Sequence, residues 1–270
     1  GTFGIKEENM AHAIAAAKDA GISLFDTSPN YEVEVALGQA IKQLGLKRDE
    51  MTIVDKVDTC EQIHPIRIAL EECLMRLGVD YIDLYLIHWP FPGRYIATWR
   101  QMEQLCSEGL TKSIGVCNFT PRHLTALMRE TDTVPVVNQI ELHPLFVQSD
   151  TVQYCREREI GVMAYTPLGR MNPELVNHRL LKSLSRKYNR TVPQIILRWD
   201  IQSGFATIPK SQSPEHIREN REIFDFCLSD EDMVAINALN CGRRLRFDPD
   251  DLSRYPLSRH YRLWLRIQAW

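Results

Sequence analysis

The chain has no apolar run long enough to span a bilayer, and its opening residues, GTFGIKEENM, carry no signal-peptide core. No membrane association and no secretory leader are expected. It has no Cys-x-x-Cys pair. Its seven cysteines, Cys60, Cys73, Cys106, Cys117, Cys155, Cys227 and Cys241, are scattered and odd in number. That argues against a disulfide framework or a structural zinc, and for a reducing, cytoplasmic compartment. The histidines are dispersed without His-x-x-x-His spacing, so no metal is expected. No Gly-x-Gly-x-x-Gly follows a strand-like run, so the dinucleotide fingerprint of the doubly wound folds is missing. Neither sign of charge dominates: 32 Lys and Arg stand against 35 Asp and Glu, a net charge of −3. Such a balance gives no general footprint for nucleic acid.

What is present is ordinary in bulk and ordered in pattern. The 270 residues are 44% hydrophobic and 25% charged, as in a globular protein that buries a sizeable core. Seven short β-branched runs recur: 23–28, 51–57, 81–89, 112–118, 134–142, 160–166 and 205–210. Helix-period segments lie between them, with apolar residues at i, i+3 and i+4. Gly21, Gly45, Gly78 and Gly109 read as helix stops, and Thr120-Pro121 and Ser213-Pro214 as N-cap followed by N1 proline. The opening GTF reads as the tail of an eighth strand. Alternating βα units imply a parallel sheet with right-handed crossovers. The strands are apolar throughout, as when both faces are buried. The expected fold is α/β, a (β/α)8 TIM barrel, with a doubly wound open sheet as the alternative. Residues 1–270 are expected to form one domain. Residues 241–270, rich in Arg, aromatics and Pro, are expected as a loop and tail packed near the pocket.

Four ionisable residues stand at the ends of the first three runs: Asp26, Lys56 and His88 close them, and Tyr31 follows Asp26 by five residues in the loop after the first. In a parallel barrel all four converge on the C-terminal rim, where barrel active sites lie. A phenol is a poor acid at neutral pH, and a nearby ammonium lowers its pKa. Lys56 would supply that charge, Asp26 would hold Lys56, and His88 would orient a carbonyl or relay a proton. The set could protonate a carbonyl oxygen while another agent delivers hydride to carbon. Each residue has a bland reading when taken singly: a turn cap, a loop aromatic, a solvated lysine, a hydrogen-bonded core imidazole. Four compatible groups at consecutive strand ends point to a site. Trp89, Phe91 and Trp99 are candidate pocket walls, Trp99 also reading as helix packing. A barrel hydrolase built on Asp26 and Glu34 is a competing reading.

The segments DTSPNY with VEVALG, DK at 55–56, YIDLYLIHWP, IGVCNF, VNQIELHP, AYTPLG and IPKS followed by ENREIFDF resemble, in order and spacing, the aldo-keto reductase family. The resemblance runs from GTF to FDPDDL at 247–252. It implies a (β/α)8 barrel binding NAD(P)H, and reduction of an aldehyde or ketone to an alcohol. Members normally carry a hairpin and a full first strand ahead of GTF, and both are expected to be absent before Gly1. By position, the resemblance makes Tyr31 the proton donor and Asp26, Lys56 and His88 the rest of a tetrad. Asn118 and Gln139 would hold the nicotinamide carboxamide, and Tyr165 would stack on its ring. Thr2 and Asp26 would lie near that end of the cofactor. Thr166, Leu168 and Gly169 match the segment crossing the pyrophosphate. Lys210 and Ser211 match the ribose-phosphate site, with His216, Glu219 and Asn220 toward the adenosine. His88 and Trp89 would meet the substrate.

Two positions depart from the family pattern. His216 stands where an arginine often grips the 2′-phosphate, and imidazole makes no bidentate clamp. NADPH is the expected cofactor, with NADH open. Cys117 replaces the usual serine before Asn118, and a thiol is the weaker hydrogen-bond partner. The expected partner is a small-molecule carbonyl compound, and the chain is expected to be a monomer. A cofactor-binding regulatory or structural role on the same barrel, with little turnover, is the alternative function.

Overall fold

The computed structural model describes residues 1–255. Beyond Tyr255 the expected tail of 241–270 lies outside the described residues. Seven strands form one parallel sheet in chain order: β1 (Leu24–Asp26), β2 (Thr52–Val57), β3 (Ile82–Ile87), β4 (Thr111–Cys117), β5 (Val137–Glu141), β6 (Gly161–Tyr165) and β7 (Ala206–Thr207). The helices are α1 (Glu7–Asp19), α2 (Glu34–Gln43), α3 (Ile66–Leu77), α4 (Tyr95–Ser107), α5 (Pro121–Glu130) and α6 (Ser149–Arg156). They continue as α7 (Pro173–Val176), α8 (Arg179–Tyr188), α9 (Val192–Gln202), α10 (Pro214–Arg221) and α11 (Asp230–Asn237). The strands follow the parallel order of a (β/α)8 barrel, but the seven described strands curl into a half-barrel and do not close it. Thr2 N–H donates to Asp26 O at 2.9 Å, and the Gly1 nitrogen donates to Pro209 O at 3.1 Å. Residues 1–3 thus bridge the ends of β1 and β7 at the rim, where no ladder joins those strands among the described residues.

Strand periodicity explains how the rim is armed. Successive side chains alternate between the two faces of a strand. One face carries Val54, Leu86, Val137 and Met163, which pack together with Cys117, Leu24, Leu84 and Ile208 as the interior plug. Two residues further along each strand, on that same face, stand Asp26 after Leu24, Lys56 after Val54, His88 after Leu86, Gln139 after Val137 and Tyr165 after Met163. The apolar plug fills the barrel below, and the polar groups sit directly above it. The opposite face, with Phe25, Ile53, Tyr85, Val116, Ile140 and Ala164, joins the larger core under the helices. Gly115 lets the plug close: a Cβ there would meet side-chain atoms of Leu86 at 2.7 Å and Val137 at 2.8 Å.

The helix boundaries follow local chemistry. Thr120 caps α5 in a reciprocal capping box with His123, and the Ser213 hydroxyl accepts from His216 N–H to cap α10. Gly78 ends α3 at φ 67, its N–H closing on Leu74 O. The sequence reading passed over α7, α8 and α9 between β6 and β7. Its clearest missed signal is Thr191-x-x-Gln194. The Thr191 hydroxyl accepts from Gln194 backbone N–H at 3.4 Å, and the Gln194 side-chain Oε1 accepts from Thr191 N–H at 2.9 Å.

Candidate active site

A cavity of about 580 Å3 opens at the C-terminal ends of the strands. That is the size range of small-ligand sites. Asp26, Tyr31 and His88 line it together with Trp89, Asn118, Gln139 and Tyr165. Lys56 lies just beneath and is fully buried. Its Nζ donates to Asp26 Oδ2 at 2.9 Å and to Thr27 O at 2.6 Å. The same carboxylate oxygen accepts from Gln139 Nε2 at 2.7 Å. Burial by itself would lower the Lys56 pKa. Asp26 and Tyr31 override it, so the amine is held above its ordinary value and stays protonated. Lys56 Nζ lies 5.1 Å from the Tyr31 ring centre, and the Tyr31 and His88 rings are 5.9 Å apart, edge to face.

One expectation is corrected here. The Tyr31 phenol is not made more acidic overall: burial pushes it up to about 12, and Lys56 pulls it back incompletely. Desolvation exceeds the pairwise attraction because the forming phenolate loses its water on one side while the ammonium is already shared with Asp26. At neutral pH the phenol is therefore protonated, the state a proton donor needs.

The His88 ring is held from the rear by residues that sequence reasoning missed. Its Nδ1 is 3.2 Å from Ser28 Oγ and 3.5 Å from Asp58 Oδ1. Ser28 Oγ donates its proton to Asn30 Oδ1 at 3.0 Å, and Asn30 in turn hydrogen-bonds Asp58. Burial raises the Asp58 pKa, but the His88 contact and further hydrogen bonds outweigh it, leaving the carboxyl below its ordinary value and ionised. Both neighbours of Nδ1 thus act as acceptors, and the proton of the neutral imidazole sits on Nδ1. Burial holds the His88 pKa below its ordinary value against the pull of Asp58.

The polar groups around the cavity fit a nicotinamide. Tyr165 donates its hydroxyl to Asn118 Oδ1 at 2.7 Å, and Asn118 Nδ2 donates to His88 O at 3.0 Å. The Asn118 amide is fixed in orientation with one N–H and one lone pair to spare. Asn118 takes a left-handed φ of 62, tolerable for asparagine. Thr166, a β-branched residue, holds φ 54 on the cavity wall, a strained conformation of the kind that gathers at functional sites. Leu168 and Lys210 also line the cavity. Gly169 packs behind it, beneath Leu175. Thr2 is buried, its hydroxyl donated to Asp26 O at 2.9 Å. Thr2, Ser211 and Asn220 line a smaller cavity of about 70 Å3, which shares Gly1 and Pro209 with the main one. His216 is exposed on the first turn of α10, and Glu219 is half-buried on the same helix.

Of the expected walls, Trp89 faces the cavity. Phe91 and Trp99 do not. Phe91 stacks on Tyr255 at 5.8 Å, and Trp99 is fully buried with its indole N–H on Thr133 O at 3.2 Å. The walls instead gain Phe3, Arg170, Met171, Arg246 and Phe247. Glu141 fixes the backbone at Arg246: its carboxylate accepts from Leu245 N–H at 2.6 Å and from Arg246 N–H at 2.9 Å. These residues sit in loops or, for Arg170 and Met171, in a single 3-10 turn (Gly169–Met171), where no periodicity marks them.

The model of the aldo/keto reductase family matches residues 1–241. A methylglyoxal reductase of Yersinia pestis is 41% identical over 240 residues, covering 88% of this chain and 86% of that protein. A glyoxal reductase of Bacillus subtilis is 41% identical over 254 residues, covering 93% and 91%. Among solved structures, an aldo-keto reductase from a deep-sea metagenome library superposes with a TM-score of 0.86 at 34% identity, covering 92% of this chain and 93% of its own. A Bombyx mori aldo-keto reductase, solved in complex with NADP, gives 0.82 at 33% identity, covering 94% and 89%.

Proposed function

For a chain that belongs to the aldo/keto reductase family and so reduces carbonyl groups with NADPH, we propose a small aldehyde or ketone as substrate and Tyr31 as the acid. The reductases of methylglyoxal and glyoxal among its relatives support a compact dicarbonyl as a test substrate. The observation that carries the assignment is Tyr31 on the cavity floor, 5.1 Å from a buried Lys56 ammonium that is itself locked on Asp26.

Bound NADPH supplies the hydride that the carbonyl carbon accepts. Tyr31 gives its phenolic proton to the carbonyl oxygen, completing the alcohol. The phenolate so formed is stabilised by Lys56, whose charge is in place before the proton moves, so no reorganisation is required at that moment. Asp26 and Gln139 keep the ammonium aimed. Neutral His88, with its proton on Nδ1, turns a bare Nε2 toward the substrate and bounds the oxygen site with Trp89. Asn118 and Gln139 would hold the carboxamide of the cofactor, Tyr165 would cover its ring, and Thr166, Leu168 and Gly169 would border its pyrophosphate. Lys210, Ser211 and Asn220, with His216 and Glu219 on α10, would serve its adenosine end, and Thr2 would brace Asp26 from below. Residues 1–270 are read as one domain whose segment from 241 walls the pocket, a reading supported by the Glu141 clamp. The chain is read as a monomer. Unpaired cysteines among the described residues, and no helix there long and apolar enough to cross a membrane, support the cytoplasm.

The test is NADPH oxidation with methylglyoxal. Tyr31→Phe should lower kcat by about a hundredfold or more with an unchanged melting temperature. A loss of only a few-fold would remove Tyr31 from the role.

A further inference from the structure

We propose that the segment bordering the cofactor and the segment walling the substrate close as one unit, joined by the Glu174–Arg243 ion pair and by Leu245, so that each ligand tightens the site of the other. This deepens the carbonyl-reduction reading and rests on the ligand placements made there. Two stretches far apart in sequence meet at the cavity. Thr166, Leu168, Arg170 and Met171 line it from the loop after β6, and Arg246 and Phe247 line it from the C-terminal side.

The first stretch is strained. Thr166, Arg170 and Met171 hold φ of 54, 55 and 58, the left-handed region that residues with a Cβ seldom adopt. Such backbone persists only where its surroundings impose it. Part of the hold is local: Gly169 N–H donates to Thr166 O at 2.9 Å, Met171 N–H to Leu168 O at 2.8 Å, and Glu174 N–H to Asn172 Oδ1 at 2.9 Å. The rest comes from the second stretch. Arg243 Nη1 meets Glu174 Oε2 at 2.5 Å. A Cβ on Gly169 would lie 2.8 Å from Leu175 Cδ2 and 3.6 Å from Leu245 Cδ1, so both leucines cover the strained turn.

The second stretch is pinned in its turn to the end of β5. Arg243 N–H donates to Leu145 O at 3.0 Å, and the Leu245 and Arg246 amides donate to Glu141. Glu141 pairs in register with Tyr165, the residue just before the strained loop. Opening that loop relaxes its backbone, breaks the ion pair and uncovers Leu245, so the wall at Arg246 and Phe247 loosens with it. A closed strained form and an open relaxed form are the two states that coupling requires, and a ligand shifts them only by favouring one. Cofactor against the first stretch and substrate against the second favour the same closed form, and such coupling is reciprocal. Glu174 and Arg243 act as positioning residues through these two stretches. Both side chains are about half exposed, so removing the pair leaves the core intact.

The experiment uses the Tyr31→Phe enzyme, in which NADPH and benzaldehyde can sit together with little turnover. NADPH affinity is read by cofactor fluorescence with and without the aldehyde. Benzaldehyde should tighten NADPH binding by about fivefold, and NADPH should tighten benzaldehyde binding by the same factor. Glu174→Gln and Arg243→Gln, added singly, should each bring that factor below about two with the melting temperature unchanged. The exchanged pair, Glu174→Arg with Arg243→Glu, should raise it above either single variant. A purely structural pair would instead lower the melting temperature and weaken NADPH equally with and without the aldehyde. That result, no coupling before the pair is altered, or no recovery in the exchanged pair would each overturn the proposal while leaving carbonyl reduction standing. Turnover of neither methylglyoxal nor benzaldehyde by the native chain with NADPH would overturn both.

Discussion

Two buried ionic clusters stand back to back on β2, one on each face of a single dipeptide. Lys56 points into the barrel, where it donates to Asp26 at 2.9 Å and to Thr27 O, and Gln139 donates in turn to Asp26. Asp55 points outward under α2 and α3, where it accepts from Cys73 Sγ at 3.0 Å and faces Glu34. Glu34 is held in turn by Arg76 Nε at 2.6 Å. The inner cluster pairs opposite charges. The outer one brings two carboxyls together with one arginine, so one carboxyl must give up its charge. Burial first, then Glu34, pushes the Asp55 pKa well above its ordinary value. The inner cluster therefore keeps a fixed charge that chemistry can use, and the outer keeps a proton that serves packing. Glu34, Asp55 and Cys73 have the spacing of a metal site, but Arg76 on Glu34 and a protonated Asp55 leave little anionic charge for a cation.

The sharpest way to break the comparison is to remove the inner cation. Lys56→Met leaves Asp26 buried without a counter-charge, at a cost of about 3–5 kcal/mol. It also strips the phenolate of its stabilisation, so turnover should fall by about a thousandfold or more. Urea denaturation and NADPH oxidation read the two effects. The double variant Lys56→Met with Asp26→Asn removes both charges at once. It should recover most of the stability and none of the activity. If activity returned with stability, the lysine would be a structural residue.

The outer cluster should answer in the opposite sense. Asp55→Asn keeps an acceptor for Lys56 N–H and offers Glu34 a permanent donor. Native Asp55 binds its proton more tightly folded than unfolded, so the native chain loses stability as pH rises from about 3.8 toward the raised value. The variant lacks this loss. Its advantage should be absent near pH 4 and grow by no more than about 1.4 kcal/mol per pH unit above it, with activity within about twofold of native. Melting curves across pH 4 to 8 decide it. A pH-independent offset would mean that Asp55 is not the titrating group.

The same two faces explain what the sequence could disclose. Asp26, Lys56 and His88 were legible because each follows an interior apolar residue by two positions at the end of a run buried on both sides. Their convergence needed only the parallel order of the strands. Tyr31 was legible as an acid by residue type, but the direction of its pKa shift was not, since that depends on how much water the folded loop excludes. Phe3, Arg246 and Phe247 left no trace in any period. Arg246 is tied to the site by Glu141, whose contacts with the Leu245 and Arg246 amides join positions 104 and 105 residues apart. Asp58 was likewise hidden, because its role depends on where loops place Asn30 and Ser28.

Asp58 also gives the smallest of these effects and the finest test of the inner face. Its charge raises the His88 pKa against burial, and as an acceptor it keeps the imidazole proton on Nδ1. Asp58→Asn removes the charge, so burial acts with less opposition and the His88 pKa falls further. Any acid limb of kcat/KM that reports protonation of His88 should then move to lower pH. At neutral pH, where His88 is uncharged in both forms, the rate should change by less than about tenfold. The ring protons of His88, followed by NMR through the same titration, should move in step with the kinetic limb. A limb that stays in place while the NMR titration shifts would assign the kinetic limb to another group and leave His88 as a wall of the pocket, with the proton chemistry resting on Tyr31 and Lys56 alone.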